Sequence, residues 1–375
     1  MTTTPFLRPR LTGARFEERA IPLEFLKDLA VFEEMIVEIA KSTFLTDHPD
    51  RKRSPRGFTE GIELKLTGIE EGSAVPVISL IVTSATLFPT DSQFYFERAR
   101  DAVVRAISAA EHQRNIIEHL PERALGYFDR IGRSLRDGEA MEFEVPDGQG
   151  VARLTKETRR KLLLASADVK ELTEEVTTRG FVPEVDQADM TFEIQLPDGR
   201  KVKSPLATQH LDTILEAFNG YKAATRVMLQ GVGRFNRSER LLGFDSVEHV
   251  SLLDPLDVQA RLEEIALLKD GWLEGKGVAL PRESLEWVSR AFASHYPDDL
   301  PLPYVYPTPE GGIQMEWTFG TTEASLEIDL SAHSAHWQAL DLRTEEESSR
   351  PLRLDEPDEW TWLATEIRRI AGGAA

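Results

Sequence analysis

The sequence predicts a multi-domain α+β protein: an N-terminal α+β domain of hairpin and helices, a central small β-rich sheet or barrel, and a C-terminal α+β domain with a short antiparallel sheet. Three observations carry this. Gly61–Val82, GIELKLTGIEEGSAVPVISLIV, reads as two strands about a tight turn and lies between long amphipathic segments. From Gly138 to Leu253, short alternating runs recur between turn signals such as Pro197-Asp198-Gly199. All six tryptophans (Trp272, Trp287, Trp317, Trp337, Trp360 and Trp362) fall in the last stretch, which is enough to give that piece its own core. The chain of 375 residues has room for two or three domains, and boundaries near Asp137 and Asp254 divide it into 1–137, 138–253 and 254–375.

Taken in order, Met1–Arg10 reads as a loose arm and Leu11–Ala20 as a first strand. Pro22 suits a helix start. Phe25, Leu29, Phe32, Ile36 and Ile39 then fall on one face at 3.6 spacing, so a helix runs to about Phe44. Thr46–Thr59 is a polar loop. In the hairpin, Ile62, Leu64 and Leu66 alternate with Glu63, Lys65 and Thr67, while Val75–Val82 is apolar on both faces. Glu70-Glu71-Gly72-Ser73 supplies the turn. Helices are expected over Phe94–Ile117 and onward from Pro121.

In the middle piece, strands are expected at Met141–Val145, Val169–Val185, Met190–Leu196, Lys201–Pro205, Ala223–Phe235 and Leu241–Leu253, with helices at Thr155–Leu164 and Leu206–Phe218. The last piece gives helices at Leu256–Leu268, Arg282–Tyr296 and Glu356–Ile370. Its strands are Ile313–Phe319, Ala324–Leu330 and His336–Leu342. The proline-rich Pro297–Pro309 must be extended or turning.

Composition narrows the function classes. With no cysteine there are no disulfides, thiolate metal sites or cysteine nucleophiles, which suits a reducing cytoplasm. Met1–Arg10 has no signal-like apolar core, and the longest apolar run is too short to span a bilayer. The expectation is a soluble cytoplasmic protein without a membrane partner. The net charge is −20, and from Asp254 onward 24 acidic residues face 10 basic ones. That field disfavours nucleic acid and favours either plain surface solvation or a basic protein partner.

The C-terminal pattern Asp270-Gly271-Trp272, Leu300-Pro301-Leu302-Pro303, Pro307–Gly312 and Glu316-Trp317 resembles an uncharacterised bacterial protein family. Arg53–Phe58 and Glu71-Gly72-Ser73 look similarly familiar. The resemblance covers about a third of the chain, on Gly, Pro and Trp positions that shape backbone and core. It implies a bacterial, cytosolic setting near mobile-element or defence genes, and no catalytic residue carries over.

Motifs for chemistry are sparse. Gly271–Gly277 lacks the spacing and the Ser/Thr of a phosphate loop, and Gly231-Val232-Gly233 has two of the three glycines of a dinucleotide turn. No nucleophile elbow or His-Glu-x-x-His occurs. His333 and His336, three apart on a strand, point to opposite faces. The one enzymatic constellation is Asp50 with Glu63-Leu64-Lys65, which fits a magnesium-dependent nuclease or phosphoesterase in which carboxylates hold the ion and lysine activates water. The other candidate is the cationic loop Arg51, Lys52, Arg53 and Arg56, able to bind a phosphate or carboxylate.

The leading expectation is a non-enzymatic interaction protein without a cofactor, in a toxin-neutralising or defence-accessory role. Its contact surface would be the acidic C-terminal domain, with Trp362 packed inward and Trp360 either exposed as a binding anchor or capping the edge of the same core.

Overall fold

The computed structural model describes residues 2–70, 74–82, 92–146, 148 and 150–373. Helix and strand are nearly equal, 33% and 34%, distributed over several separate sheets, so the chain is a multi-domain α+β protein. Its contacts divide it into two compact units, 1–176 with 231–246, and 177–230 with 247–375. The expected boundary near Asp137 falls inside the first unit.

The first unit opens with β1 (Thr2–Leu7), β2 (Arg10–Thr12), α1 (Phe25–Asp47), β3 (Ile62–Glu70) and β4 (Val75–Val82). The sheet order β1-β4-β3 places β4 in the centre, which is why its run is apolar on both faces. β1 replaces the expected loose arm. Its register, Thr2↔Val82 through Leu7↔Ile78, slips at Pro5, the residue that hides the strand in the sequence. Phe6 and Leu7 are buried by this pairing. Of the expected hairpin turn, Glu71, Gly72 and Ser73 lie outside the described residues.

Next come α2 (Ser92–Glu111), the single turn α3 (Glu122–Leu125), β5 (Ala140–Glu144), β6 (Val151–Leu154) and α4 (Lys156–Leu164). The helix expected from Pro121 continues past α3 as a 3-10 turn, Gly126–Asp129, and stops there. The buried Arg159 guanidinium takes the carbonyls of Phe128 (2.7 Å) and Asp129 (2.7 Å) and adds that of Thr173 (2.7 Å), so the carbonyls at 128 and 129 serve a side chain instead of a helical ladder. β2 pairs with β5, and β5 with β6, which carries the first unit across residue 137.

β7 (Glu171–Asp186), β8 (Thr191–Gln195), β9 (Lys201–Pro205), β10 (Arg226–Asn236) and β11 (Leu241–Leu252) close into a barrel ordered β10-β11-β9-β8-β7, the barrel form of the expected central sheet. The helix α5 (Leu211–Asn219) lies between β9 and β10 in sequence. In β10, a Cβ added to Gly233 would meet Val176 at 2.7 Å and Leu241 at 2.8 Å, so this glycine serves strand packing rather than a dinucleotide turn.

The second unit finishes with α6 (Val258–Ile265), α7 (Arg282–His295), β12 (Tyr304–Pro307), β13 (Ile313–Phe319), β14 (Thr322–Asp329), β15 (Ser334–Asp341), β16 (Glu346–Arg353) and α8 (Pro357–Gly373). The five strands form an antiparallel meander in chain order. Their inward residues, including Ile313, Met315, Trp317, Leu326 and Trp337, share one core with Leu262, Val288, Phe292, Leu363 and Ile367 of α6, α7 and α8. The helices therefore cover one face of the sheet and leave the other open. β16, EESSRPLR, is not evident in the sequence because Leu352 is its one buried residue; charges and a proline mark it as an edge strand.

Candidate interaction surface

The antiparallel register sets the side chains of the open sheet face in rows. One row runs Tyr306, Gln314, Glu327, His336, Pro351 from β12 to β16. The next runs Tyr304, Glu316, Ser325, Gln338, Ser349, and a third joins Thr318, Glu323, Leu340 and Glu347. Tyr304 and Tyr306, 52% and 42% exposed, stand at the β12 margin. Among the described residues no cation pairs with Glu316, Glu323, Glu327 or Glu347; Glu316 accepts one bond, from the Gln314 amide at 2.7 Å.

At one end of this face, a cleft of about 980 Å3 opens between the segment around Val278, the β12–β13 turn and the β14–β15 turn. Its shape is fixed locally. Thr308 and Gly312 exchange backbone and side-chain bonds, N–H of Thr308 to the Gly312 carbonyl at 2.9 Å and N–H of Gly312 to the Thr308 hydroxyl at 2.9 Å. A Cβ at Gly312 would stand 2.7 Å from the Ile328 carbonyl oxygen, so only glycine lets the turn lie this close to β14. Asp329 accepts from the Ser331 hydroxyl and from the N–H groups of Ala332 and Ser331, and these bonds hold its carboxyl below the usual range.

The tryptophans are core rather than contact surface. Trp360, expected to be exposed, is 2% exposed; its indole N–H donates to the Leu354 carbonyl at 2.9 Å, and its ring meets Phe292 edge-on at 6.3 Å. Trp362 is the half-buried one, with the Arg350 guanidinium 4.3 Å over its ring. The reversal follows from helical spacing: Leu363, Ala364, Ile367 and Ile370 are buried, and Trp360 stands three, four, seven and ten residues before them. Trp360 is therefore withdrawn as a binding anchor. His333 stacks on Trp287 (3.8 Å between ring centroids) and bonds Asp355 at 3.0 Å, whereas His336 is on the open face.

The other candidates lie in the first unit. Glu63 and Lys65 pair with each other at 2.6 Å on the exposed side of β3, an edge strand. Asp50 is exposed in the loop after α1, and no bond joins it to either. Among the described residues no group of three or more His, Asp or Glu could hold a metal ion. Arg51, Lys52, Arg53 and Arg56 are all exposed on a loop pinned by buried Phe58, which packs against Phe44 (5.4 Å) and Phe96 (6.3 Å). The Arg51 guanidinium lies 5.8 Å from the Phe44 ring, and among the described residues none of the four makes an ion pair.

The sequence does not reveal the buried ionic cluster of the first unit. The Asp28 carboxylate, 5% exposed, accepts from the N–H of Gly132 (2.8 Å) and the hydroxyl of Ser134 (3.3 Å). Burial pushes its pKa up to about 6 despite those bonds. Nearby, Arg15 donates twice to Glu139 at 2.7 Å, to the Ser134 carbonyl at 2.6 Å, and also pairs with Glu24. Burial works against Glu139 as an anion, but Arg15 and the N–H of Arg136 outweigh it and hold its pKa down. Each of these groups is enclosed by backbone and its own partners, which is the arrangement of a structural network.

Among the described residues, no helix is long and apolar enough to cross a membrane. Comparison with protein-family models, with curated proteins and with solved structures finds no match, so the functional reading comes from this chain's own residues.

Proposed function

We propose that the chain is a non-enzymatic binding protein that receives a basic protein partner on the open face of its C-terminal sheet. The observation that supports this reading is the set of carboxylates Glu316, Glu323, Glu327 and Glu347 on a helix-free face, unpaired among the described residues, beside exposed Tyr304 and Tyr306. Carboxylates gathered on one face repel one another, and a partner's cations relieve that repulsion while the tyrosines give rigid contact area. A basic toxin is one partner of this chemistry, and its neutralisation is the biological role attached to the reading.

The test is calorimetric binding of a lysine- and arginine-rich peptide at low and high salt. The paired variant Glu323→Gln/Glu347→Gln is compared with Asp212→Asn/Glu216→Gln, which removes the same charge from the exposed side of α5. The sheet variant is expected to bind about tenfold more weakly and the control to bind like the parent. Equal losses in both would mean that net charge alone attracts the peptide, and the sheet reading would fall.

A further inference from the structure

The cleft at the end of the open face combines two surfaces that seldom meet. Its floor is apolar: the exposed Pro281 and Pro351 line it, with Ile328, Leu330 and Leu352 buried behind them, and Val278, 52% exposed, forms one wall. Its rim is anionic. Glu310 and Glu327 are exposed there and unpaired among the described residues. Asp329, with its lowered pKa, is ionised at neutral pH. Among the described residues the rim carries one cation, Arg353, which has Glu356 at 3.4 Å.

A wholly apolar ligand would leave the carboxylates uncompensated, and a bare cation would leave the floor wet. A long aliphatic stem ending in a cation satisfies both, because such side chains lay their methylenes on apolar surface and keep the charge at its edge. Between the two natural choices, arginine is less strongly hydrated than lysine and presents a planar fork of donors to carboxylates, so it loses less on entering a partly dry cleft. We propose that the cleft is an anchor site for an arginine side chain of the partner, its stem over the floor and its guanidinium at Glu310 and Glu327. The inference rests on the sheet-face reading and adds the identity of the anchoring residue. The Thr308–Gly312 turn makes the site ready-formed, which reduces the ordering cost of binding.

Butylguanidinium is the probe, with guanidinium, butylammonium and 1-butanol as comparisons, titrated into the isotope-labelled full chain and followed by backbone amide signals. Butylguanidinium is expected to move Val278, Gly311 and Ser331 selectively, with guanidinium and butanol at least about tenfold weaker. The shifts should vanish in Glu310→Gln/Glu327→Gln and weaken in Val278→Ser, whose exposed position makes it safe for folding. The same Glu310/Glu327 variant should also weaken the peptide. Guanidinium binding as well as butylguanidinium, tighter binding of butylammonium, shifts outside the cleft, or unchanged peptide affinity in that variant would each overturn the anchor. If one of those results occurs while Glu323→Gln/Glu347→Gln still weakens the peptide, the anchor fails and the sheet reading stands. If the peptide ignores Glu323 and Glu347, the sheet reading fails whatever the cleft binds.

Discussion

Replacing Asp28 by asparagine tests the most strained charge in the first unit. Burial raises its pKa from the ordinary 3.8 to about 6. A rise of that size makes ionisation about 3 kcal/mol harder in the folded protein than in the unfolded chain. The sign follows from linkage. Between pH 4 and 6 the folded state holds the proton that the unfolded state has lost, so stability falls as pH rises through this window. Above it the folded protein carries the whole cost. Both donors, Gly132 N–H and Ser134 hydroxyl, reach the same oxygen, Oδ2, so an asparagine carbonyl placed there keeps both bonds. Its NH2 then needs an acceptor, and an unmet buried donor costs about 1–3 kcal/mol. The absolute stability of Asp28→Asn at pH 8 is thus expected near or modestly above the parent's, by about 1 kcal/mol. The decisive quantity is the pH dependence: the parent should lose about 2.5 kcal/mol more than the variant between pH 4 and 8. Urea unfolding followed by far-ultraviolet dichroism reads both units, and tryptophan fluorescence, which comes from residues beyond 253 alone, identifies the second unit's share, so that the remaining transition belongs to the first. Parallel pH profiles for parent and variant would show that Asp28 titrates like an exposed carboxyl and would refute the burial argument.

Trp360→Ala should cost about 3–5 kcal/mol by tryptophan-fluorescence denaturation, and Trp362→Ala about 1–2 kcal/mol, since only the first empties a fully buried site. Arg159→Met leaves the carbonyls of Phe128, Asp129 and Thr173 without their donor, and urea titration should show a loss of about 3 kcal/mol or more. Arg51→Ala/Lys52→Ala/Arg53→Ala should leave thermal stability within about 0.5 kcal/mol per residue, because the three cations are exposed and without ion pairs among the described residues, and the one ring contact, Arg51 over Phe44, is long at 5.8 Å. A larger loss would mean that the loop's charges serve the fold.

Periodicity revealed elements whose two faces differ. α1 and α7 bury one face at helical spacing and β13 and β15 alternate buried with less buried residues, so their periods are read directly from runs such as Phe25–Asp47 and Ile313–Phe319. Edge strands lack that contrast: β1 carries Pro5, β16 buries only Leu352, and nothing in either run distinguishes it from a loop. The end of the helical run after Pro121, at Asp129, is hidden from the sequence because the group that takes the carbonyls there, Arg159, is distant along the chain. The site was half legible. An acid-rich C-terminal piece was visible in composition, but rows such as Tyr306–Gln314–Glu327–His336 exist only once five strands are in register. The burial of Trp360 is legible in the sequence, in its helical spacing to Leu363, Ala364 and Ile367.

Charge placement separates a solubility role from a binding role. The first unit holds 32 acidic and 28 basic residues, a net of −4, and the second 32 and 16, a net of −16. In the first unit many carboxylates are neutralised by an arginine, as in Glu34–Arg130, Glu142–Arg153, Glu139–Arg15 and Asp129–Arg159. In the second, cations pair with acids on the helical side, as in Arg350–Glu359, Arg368–Asp299 and Arg369–Glu366. Among the described residues the acids of the open sheet face have no cation partner. Charge needed only for solubility gains nothing from being gathered on one face, where self-repulsion lowers stability. Gathering it there becomes favourable when a cationic surface docks on that face, because the repulsion removed on docking adds to the affinity and steers the approach.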